Sequence, residues 1–228
     1  MKKTLIILTI FFVVSGYILT PAEADNKWTA LVEKSGMVLS EIQGMPDESV
    51  PDDLLRKCSA IAIFPNTISA GLGIGGKYGQ GIIMVRDKKG RWSPPAIFTL
   101  AGASIGFQIG GEATDIVLLM MENKSVNAIL DGKFKLGVDA SVAAGPVGRE
   151  AEASTDASLG GLLAYSRSRG LFAGIKLEGA VITQHWEGDK ELYGKDLSAK
   201  EILVEGKAKM PKCANGLHKT LKKYPYKK

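Results

Sequence analysis

Glycine recurs at fixed parity through residues 71–111, and no other feature restricts the fold as strongly. Because successive side chains of a strand point to opposite faces, glycine at every second or fourth position predicts strands with one nearly bare face. Glycine weakens a strand, so its repetition predicts sharp bending, or the close approach of a ligand or another backbone. The predicted glycine face of the second half consists of Gly102, Ser104, Gly106, Gln108 and Gly110. In the first half, the positions of shared parity are Gly71, Gly73, Gly75, Gly79 and Gly81.

The alternate positions of residues 97–109 are mostly apolar and predict a core face. Other short apolar or alternating segments predict strands at residues 59–64 (closed by Pro65-Asn66), 81–86, 114–121, 133–144, 162–168 and 171–183. Helices are predicted from Asp25 as the cap through Ile42, from Pro51, at 123–130, at 198–205 with a capping box, and at 211–224. The pattern is typical of one α+β domain, a curved antiparallel or barrel-like sheet flanked by N- and C-terminal helices.

Residues 1–24 have the pattern of a secretory signal. Lys2 and Lys3 precede an apolar run, and Ala22-Glu23-Ala24 is a small-residue cleavage site. We therefore expect cleavage near Ala24, a mature domain of residues 25–228, and a periplasmic or secreted location in a bacterium. An uncleaved N-terminal anchor is the alternative, which the shortness of the apolar run disfavours.

The two cysteines, Cys58 and Cys213, allow a disulfide, because an exported protein can keep one. The alternative is two small buried apolar side chains, and the sequence leaves this choice open. Only His185 and His218 could join them as metal ligands, so no metal or cofactor is predicted.

Three motifs resemble functional or membrane signatures, and each has a simpler structural interpretation. Residues 71–76 match GxGxxG, but they lead into an apolar strand instead of the helix that phosphate binding needs. Residues 102–106 match the GxSxG nucleophile elbow around Ser104, with His185 downstream, whereas strand alternation continues through Ser104. The uncharged residues 94–111 reach the length of a membrane helix, yet four glycines and a Pro-Pro start argue against insertion.

The C-terminal end carries the clearest charge signal, because eight lysines and no acid follow Glu205. An apolar stripe of Met210, Cys213, Leu217, Leu221 and Tyr224 predicts a helix packed on the domain with its basic side outward. That side suits an anionic surface, or is a solvated face that keeps the protein soluble. Nucleic acid is disfavoured as a partner, since few aromatic residues interleave with the lysines. The candidate surface residues are Lys219, Lys222, Lys223, Lys227 and Lys228.

Several short motifs, in order and at matching spacing, resemble the SYLF domain family over residues 54–181. They are AIAIFP at 60–65, GKYGQG at 76–81, WSPP at 92–95, GFQIG at 106–110, TDIV at 114–117, GPVG at 145–148 and SRGLFAG at 168–174. The resemblance implies a lipid-binding domain, with phosphoinositide and actin binding among eukaryotic members. It implies no catalytic residue.

In eukaryotic members lipid binding is associated with a basic N-terminal segment. Here the corresponding residues 28–57 carry more acids than bases, so we expect the C-terminal lysines to take that role. Actin is not an expected partner in a bacterial envelope. The sequence therefore predicts an exported, non-enzymatic domain that binds anionic phospholipid or another anionic envelope surface. The alternatives are a serine hydrolase using Ser104 and a structural or protein-binding module.

Overall fold

The computed structural model describes residues 26–45, 49–131, 133–147, 161–167 and 177–227, and for residues 71–74 and 104–110 it describes the backbone alone. Within these residues the elements are α1 Lys27–Gln43, α2 Asp52–Lys57, β1 Ala60–Val85, β2 Ala96–Met120, α3 Asn123–Leu130, β3 Lys133–Lys135, β4 Val142–Ala144, β5 Leu162–Arg167, β6 Val181–Gln184, α4 Trp186–Tyr193, α5 Ala199–Leu203, a 3₁₀ turn Lys212–Ala214 and α6 Asn215–Leu221. The predicted signal lies outside the described residues.

Two very long strands form the centre of the sheet. β1 and β2 pair antiparallel along almost their whole length, from Ala60 opposite Met120 to Ile83 opposite Ala96. On the free edge of β2, β5 pairs with its C-terminal part and β6 with its N-terminal part. β3 then pairs with β6, and β4 runs parallel to β5. The α+β prediction is confirmed, with a sheet that is antiparallel apart from the β4–β5 pair.

β1 bends so strongly that its two ends lie side by side. The backbone N–H of Arg86, just after β1, donates to the carbonyl of Ser59, just before it, at 2.8 Å. A Cβ on Gly81 would overlap the carbonyl oxygen of Ile63 and lie 2.8 Å from the Cα of Phe64. The predicted close approach of another backbone to the glycine-rich strand is therefore confirmed at Gly81.

The Pro65-Asn66 pair was expected to end the first strand, and this is wrong. β1 continues through it with a register shift between Phe64 and Thr67. Asn66 has a φ of 49°, a conformation that asparagine tolerates better than most residues, and its N–H donates to Asp115 Oδ1 at 2.9 Å. Proline has no N–H to contribute to a ladder, so a bulge accommodates it while the strand goes on.

The two glycine sets face each other across the β1–β2 pair. Gly71 lies opposite Gly110, Gly73 opposite Gly106, and Gly75 opposite Ser104. Directly opposed residues share a face of the sheet, so the bare faces predicted separately for the two segments form one surface.

The core face predicted for residues 97–109 is confirmed only at its start. Ile97 is buried and Thr99 half-buried, but Ala101 and Ala103 are exposed. The side chains of the remaining predicted core positions, Ile105, Phe107 and Ile109, lie outside the described part of the chain.

The base of the sheet is covered on both faces. On one face Ile61, Ile63, Val117 and Leu119 pack with apolar side chains of α1, α2 and α6. The alternate residues of the same strands face the other way and form a second cluster with apolar side chains of α3, α5, β3 and β6. This cluster includes Phe64, Phe98, Ile116 and Leu118. Residues 114–120 are buried throughout, so the end of β2 is covered on both sides.

Several element boundaries differ from the predictions. Residues 133–144 were expected to form one strand, but Gly137, at a φ of 83°, separates β3 from β4. The C-terminal helix is shorter than residues 211–224, and α4 was not predicted. Asn26, not Asp25, caps α1 through its side chain. The junction between the strands predicted at 162–168 and 171–183 lies outside the described residues.

None of the helices in the described part of the chain is long and apolar enough to cross a membrane.

Candidate anion-binding cleft

A cleft of about 840 Å³ lies between the turn that follows β1, the end of α5 and the C-terminal segment. Its apolar lining includes Val85, Pro94, Ile202, Leu203 and Leu221. The aromatic lining is Trp92, Tyr224 and Tyr226, and the basic lining is Lys88, Lys89, Arg91, His218 and Lys222. One acid, Asp87, accompanies them. The cleft thus combines apolar walls with a basic rim, which is the chemistry that fits an anionic amphiphile.

The turn at residues 87–91 is built by the Asp87 side chain. Its carboxylate accepts hydrogen bonds from the N–H groups of Lys89 at 2.8 Å and Arg91 at 2.9 Å, and from Arg91 Nε at 2.7 Å. Slight burial opposes ionisation of Asp87, but these bonds outweigh it and lower its pKa. Asp87 therefore stays ionised and neutralises Arg91. Lys88 and Lys89 have no carboxylate within salt-bridge distance in the described chain.

The C-terminal segment is anchored to α1 and α2. Leu217 and Leu221 are buried, and Tyr224 Oη accepts from Gln43 Nε2 at 3.2 Å. The N–H of Lys227 donates to the carbonyl of Arg56 at 3.1 Å. The apolar stripe predicted for this segment is therefore confirmed, and it fixes where the lysines lie.

The five predicted surface lysines do not form one cluster. Lys222 lines the cleft, whereas Lys219, Lys223 and Lys227 are exposed outside its walls. Lys228 lies outside the described residues. The structure adds Lys88 and Lys89, which were not among the predicted surface residues.

Two further basic residues at this end, Lys207 and His218, add little positive charge to the cleft. Lys207 pairs with Glu201 at 2.7 Å and with Glu205 at 3.2 Å, so it adds little to the basic surface. Burial, with a contribution from nearby Lys222, lowers the pKa of His218. His218 is therefore neutral at pH 7 and contributes a polar but uncharged wall.

The second predicted site, the glycine face of β2, is occupied by the protein itself at Gly102. A Cβ there would lie 2.7 Å from the Cα of Ala180. Close packing of backbone accounts for this glycine without a ligand. Ser104, Gly106, Gln108 and Gly110 lie in β2, and their side chains are outside the description.

The backbone around Ser104 does not have the form of a nucleophile elbow. Ser104 lies within the continuous strand β2, opposite Gly75, and no helix starts after it. His185 has another role, because its Nδ1 accepts from the N–H of Gly188 at 3.0 Å and caps α4. The GxGxxG at residues 71–76 likewise lies inside β1 and precedes no helix.

Cys58 and Cys213 are both thiols, Cys58 buried and Cys213 half-buried, so the structure contains no bridge between them. Burial raises the pKa of Cys58 to about 12, with nearby Arg86 acting in the opposite direction. Cys58 is therefore a neutral, unreactive group under ordinary conditions.

Residues 101–224 match a family model described as Ysc84, Las17-binding protein actin regulator. The chain belongs to this family. That confirms the SYLF resemblance, and the match runs through β6, α4, α5 and α6 to Tyr224 at the cleft.

The chain is also similar to longer proteins. Protein YSC84 of Saccharomyces cerevisiae is 36% identical over 203 residues, which are 87% of this chain and 43% of that protein. LAS seventeen-binding protein 3 of the same species is 38% identical over 203 residues, 87% of this chain and 44% of that protein. SH3 domain-containing YSC84-like protein 1 of Xenopus laevis is 34% identical over 202 residues, which are 87% of this chain and 59% of that protein. The chain thus spans about half the length of these relatives.

Proposed function

We propose that this protein is a non-enzymatic domain that binds anionic phospholipid surfaces through the cleft and the lysines beside it. The observation that carries the proposal is the convergence of Lys88 and Lys89 with Lys222 around a cleft whose walls are apolar and aromatic. Charge alone would suit any polyanion. The apolar walls favour a ligand with a hydrocarbon part.

The energetics favour several weak contributions over one strong contact. A lysine near an anionic bilayer contributes about 1 kcal/mol, roughly a fivefold change in partitioning. This attraction fades over a Debye length, about 10 Å at 0.1 M salt. Lys219, Lys223 and Lys227 therefore contribute only if the cleft side of the domain faces the membrane.

Vesicle co-sedimentation tests the proposal with a charge-matched control. One variant replaces Lys88, Lys89, Lys219 and Lys222 with Gln. The control replaces four exposed lysines of the α3–β3 region and the α4–α5 loop, Lys124, Lys133, Lys135 and Lys195. The vesicles are phosphatidylcholine alone, or phosphatidylcholine mixed with phosphatidylglycerol.

We expect wild type and control to sediment with the anionic vesicles and the cleft variant to remain in solution. High salt should release the wild type. Equal loss in both variants would mean that net charge, not this surface, drives binding. No sedimentation of the wild type would refute the proposal and favour the alternative of a protein-binding module, in line with the Las17-binding description of the family.

We further propose that the protein acts outside the cytoplasm after removal of residues 1–24, which would keep it from actin. The support is the signal-like pattern ending at Ala24. Mass spectrometry of the native protein should find Asp25 at the N-terminus. An intact Met1 would refute export by this route.

A further inference from the structure

Arg86 is a buried cation directly behind the cleft. Only 8% of its surface is exposed. Its guanidinium lies 4.4 Å from the ring centre of Trp92 and 5.6 Å from that of Tyr226, and both rings line the cleft. The neighbouring residues Val85 and Asp87 line it as well. Arg86 is therefore separated from the cleft by little more than aromatic side chains.

The hydrogen bonds of Arg86 leave most of its donors unused. Nη2 donates to the carbonyls of Leu55 and Tyr224, both at 2.8 Å. Nε and Nη1 are buried and have no partner, and neither has the indole Nε1 of Trp92 beside them. Buried polar groups in proteins are almost always paired, so three unpaired donors at one place need an explanation.

The charge of Arg86 is also unbalanced. Among the described residues, no carboxylate lies within salt-bridge distance of its guanidinium. The ionisable side chains that act on its pKa besides burial are those of Cys58 and Tyr226, and neither is a carboxylate. Burial lowers the pKa of Arg86, but an arginine stays charged in proteins. A buried charge is normally paired, and here the part of the chain that the structure describes places no carboxylate beside it.

We propose that Arg86 is the inner anion subsite of the cleft and receives the phosphate of an anionic lipid, with Trp92 Nε1 as a further donor. This inference rests on the proposed function and deepens it. Nε and Nη1 lie on different edges of the guanidinium, so each can donate to a phosphate oxygen, but they do not form a parallel pair. The basic rim of Lys88, Lys89 and Lys222 attracts the headgroup, and the apolar walls receive the start of its acyl chains.

The C-terminal tail covers this subsite and has to shift for the ligand to enter. Tyr226, itself 40% exposed, lies on the outer side of Arg86 and packs against Gly90, where a Cβ would be 2.6 Å from the Cβ of Tyr226. Hydrogen bonds hold the backbone of the tail at Tyr224 and Lys227 and the Tyr224 hydroxyl at Gln43, and the ring of Tyr226 lies between these anchors. We expect displacement of this exposed ring to open a path to Arg86.

NMR of the ¹⁵N-labelled protein tests the inference at the two groups concerned. The signals followed are the Arg86 Nε–H and the Trp92 indole N–H, assigned with Arg86→Lys and Trp92→Phe. The probes are monomeric dihexanoyl phosphatidic acid, dihexanoyl phosphatidylcholine and inorganic phosphate. We expect phosphatidic acid to move both signals and phosphatidylcholine to leave them unchanged.

Arg86→Lys keeps the charge but loses the Nε and Nη1 donors, so it should bind phosphatidic acid about ten- to a hundredfold more weakly. Tyr226→Ala, which leaves the core intact, should bind it more tightly because no ring has to be displaced. If Arg86→Lys fails to fold, Tyr226→Ala still tests the inference. Movement with inorganic phosphate but not with the lipid would overturn the lipid assignment.

If neither signal moves in the wild type or in Tyr226→Ala, Arg86 is a structural residue and the inference fails. Vesicle sedimentation separates that result from failure of the proposed function. Wild type that still sediments with anionic vesicles would bind through its surface lysines alone.

Discussion

Replacing Gly81 with alanine tests whether the two ends of β1 lie against each other. The added Cβ would overlap the carbonyl oxygen of Ile63 and would lie 2.8 Å from Phe64 Cα and 2.6 Å from Phe64 Cδ1. Ordinary carbon contacts are about 3.5–4.0 Å. The neighbours include backbone, which cannot rotate away as a flexible side chain would, so the two ends must separate.

The cost follows from this packing. Overpacking a core typically costs about 1–3 kcal/mol, and contact with backbone points to the upper end, about 3 kcal/mol. For a protein of this size that corresponds to a decrease in Tm of about 6–12 °C. Gly76→Ala is the control in the same strand, because nothing lies within 4 Å of a Cβ there. Alanine lowers the entropy of the unfolded chain, so the control should be neutral or slightly stabilising.

Thermal unfolding followed by circular dichroism measures both variants. A Tm for Gly81→Ala that equals that of Gly76→Ala would refute the folded-back path of β1. Gly111→Ala repeats the control in β2, since a Cβ there also meets nothing within 4 Å.

Two further predictions concern single polar residues. Because Asn66 has a φ of 49°, Asn66→Gly should keep wild-type stability in urea, whereas Asn66→Ala should lose about 1–2 kcal/mol; equal losses would contradict the bulge. Burial raises the pKa of Asp189 to about 7, despite bonds from the Ile97 N–H and Gln184 Nε2, so the folded state holds a proton that the unfolded state has released. The contribution of Asp189 to the free energy of unfolding should therefore be largest below pH 4 and fall by up to about 4 kcal/mol as the pH rises to 7. In Asp189→Asn the free energy of unfolding should depend less on pH. Urea unfolding of both proteins at several pH values checks this. If the free energy of unfolding changes with pH equally in wild type and Asp189→Asn, the effect belongs to another group.

Local patterns predicted the parts of the fold that depend on neighbours in sequence. The capping box of α5 is present, with Glu201 accepting from the Ser198 N–H at 2.8 Å. Apolar runs and alternation predicted strands at both ends of β1 and β2. Alternation carries no information about the long-range path, so the return of β1 onto its own start could not be predicted. Glycine at 79 and 81 indicated only that something approaches closely.

α4 was missed because its sequence has weak helix signals. Its cap is His185, an uncommon residue at that position, and Gly188 lies in its first turn. The structure explains Gly188, since a Cβ there would lie 3.1 Å from both Trp28 and Ile97. The glycine lets α4 pack closely on α1 and β2. Gly194, which ends the helix at a φ of 66°, was the one usable signal.

The sequence indicated only the C-terminal part of the candidate site. Eight lysines without an acid pointed to the C-terminal end, and Lys222 is indeed in the cleft. Lys88, Lys89 and Arg86 come from a part of the chain distant in sequence, and only the fold brings them there. Arg86 looked like the polar end of an apolar strand. Its burial, with no described carboxylate within salt-bridge distance, is a property of the packed structure alone.

The glycines that shape the sheet and the lysines of the cleft lie in separate parts of the structure. The glycines that set the path of β1 and β2 lie along the central strands, while the lysines occupy an exposed turn and the end of the chain. Exposed lysines outside ion pairs contribute little to folding, so the cleft variant should remain folded. Arg86 differs, because its Nη2 joins α2 to the C-terminal tail through Leu55 and Tyr224. Loss of lipid binding in the lysine variant can therefore be attributed to the surface, whereas any Arg86 variant needs its unfolding curve measured beside its affinity.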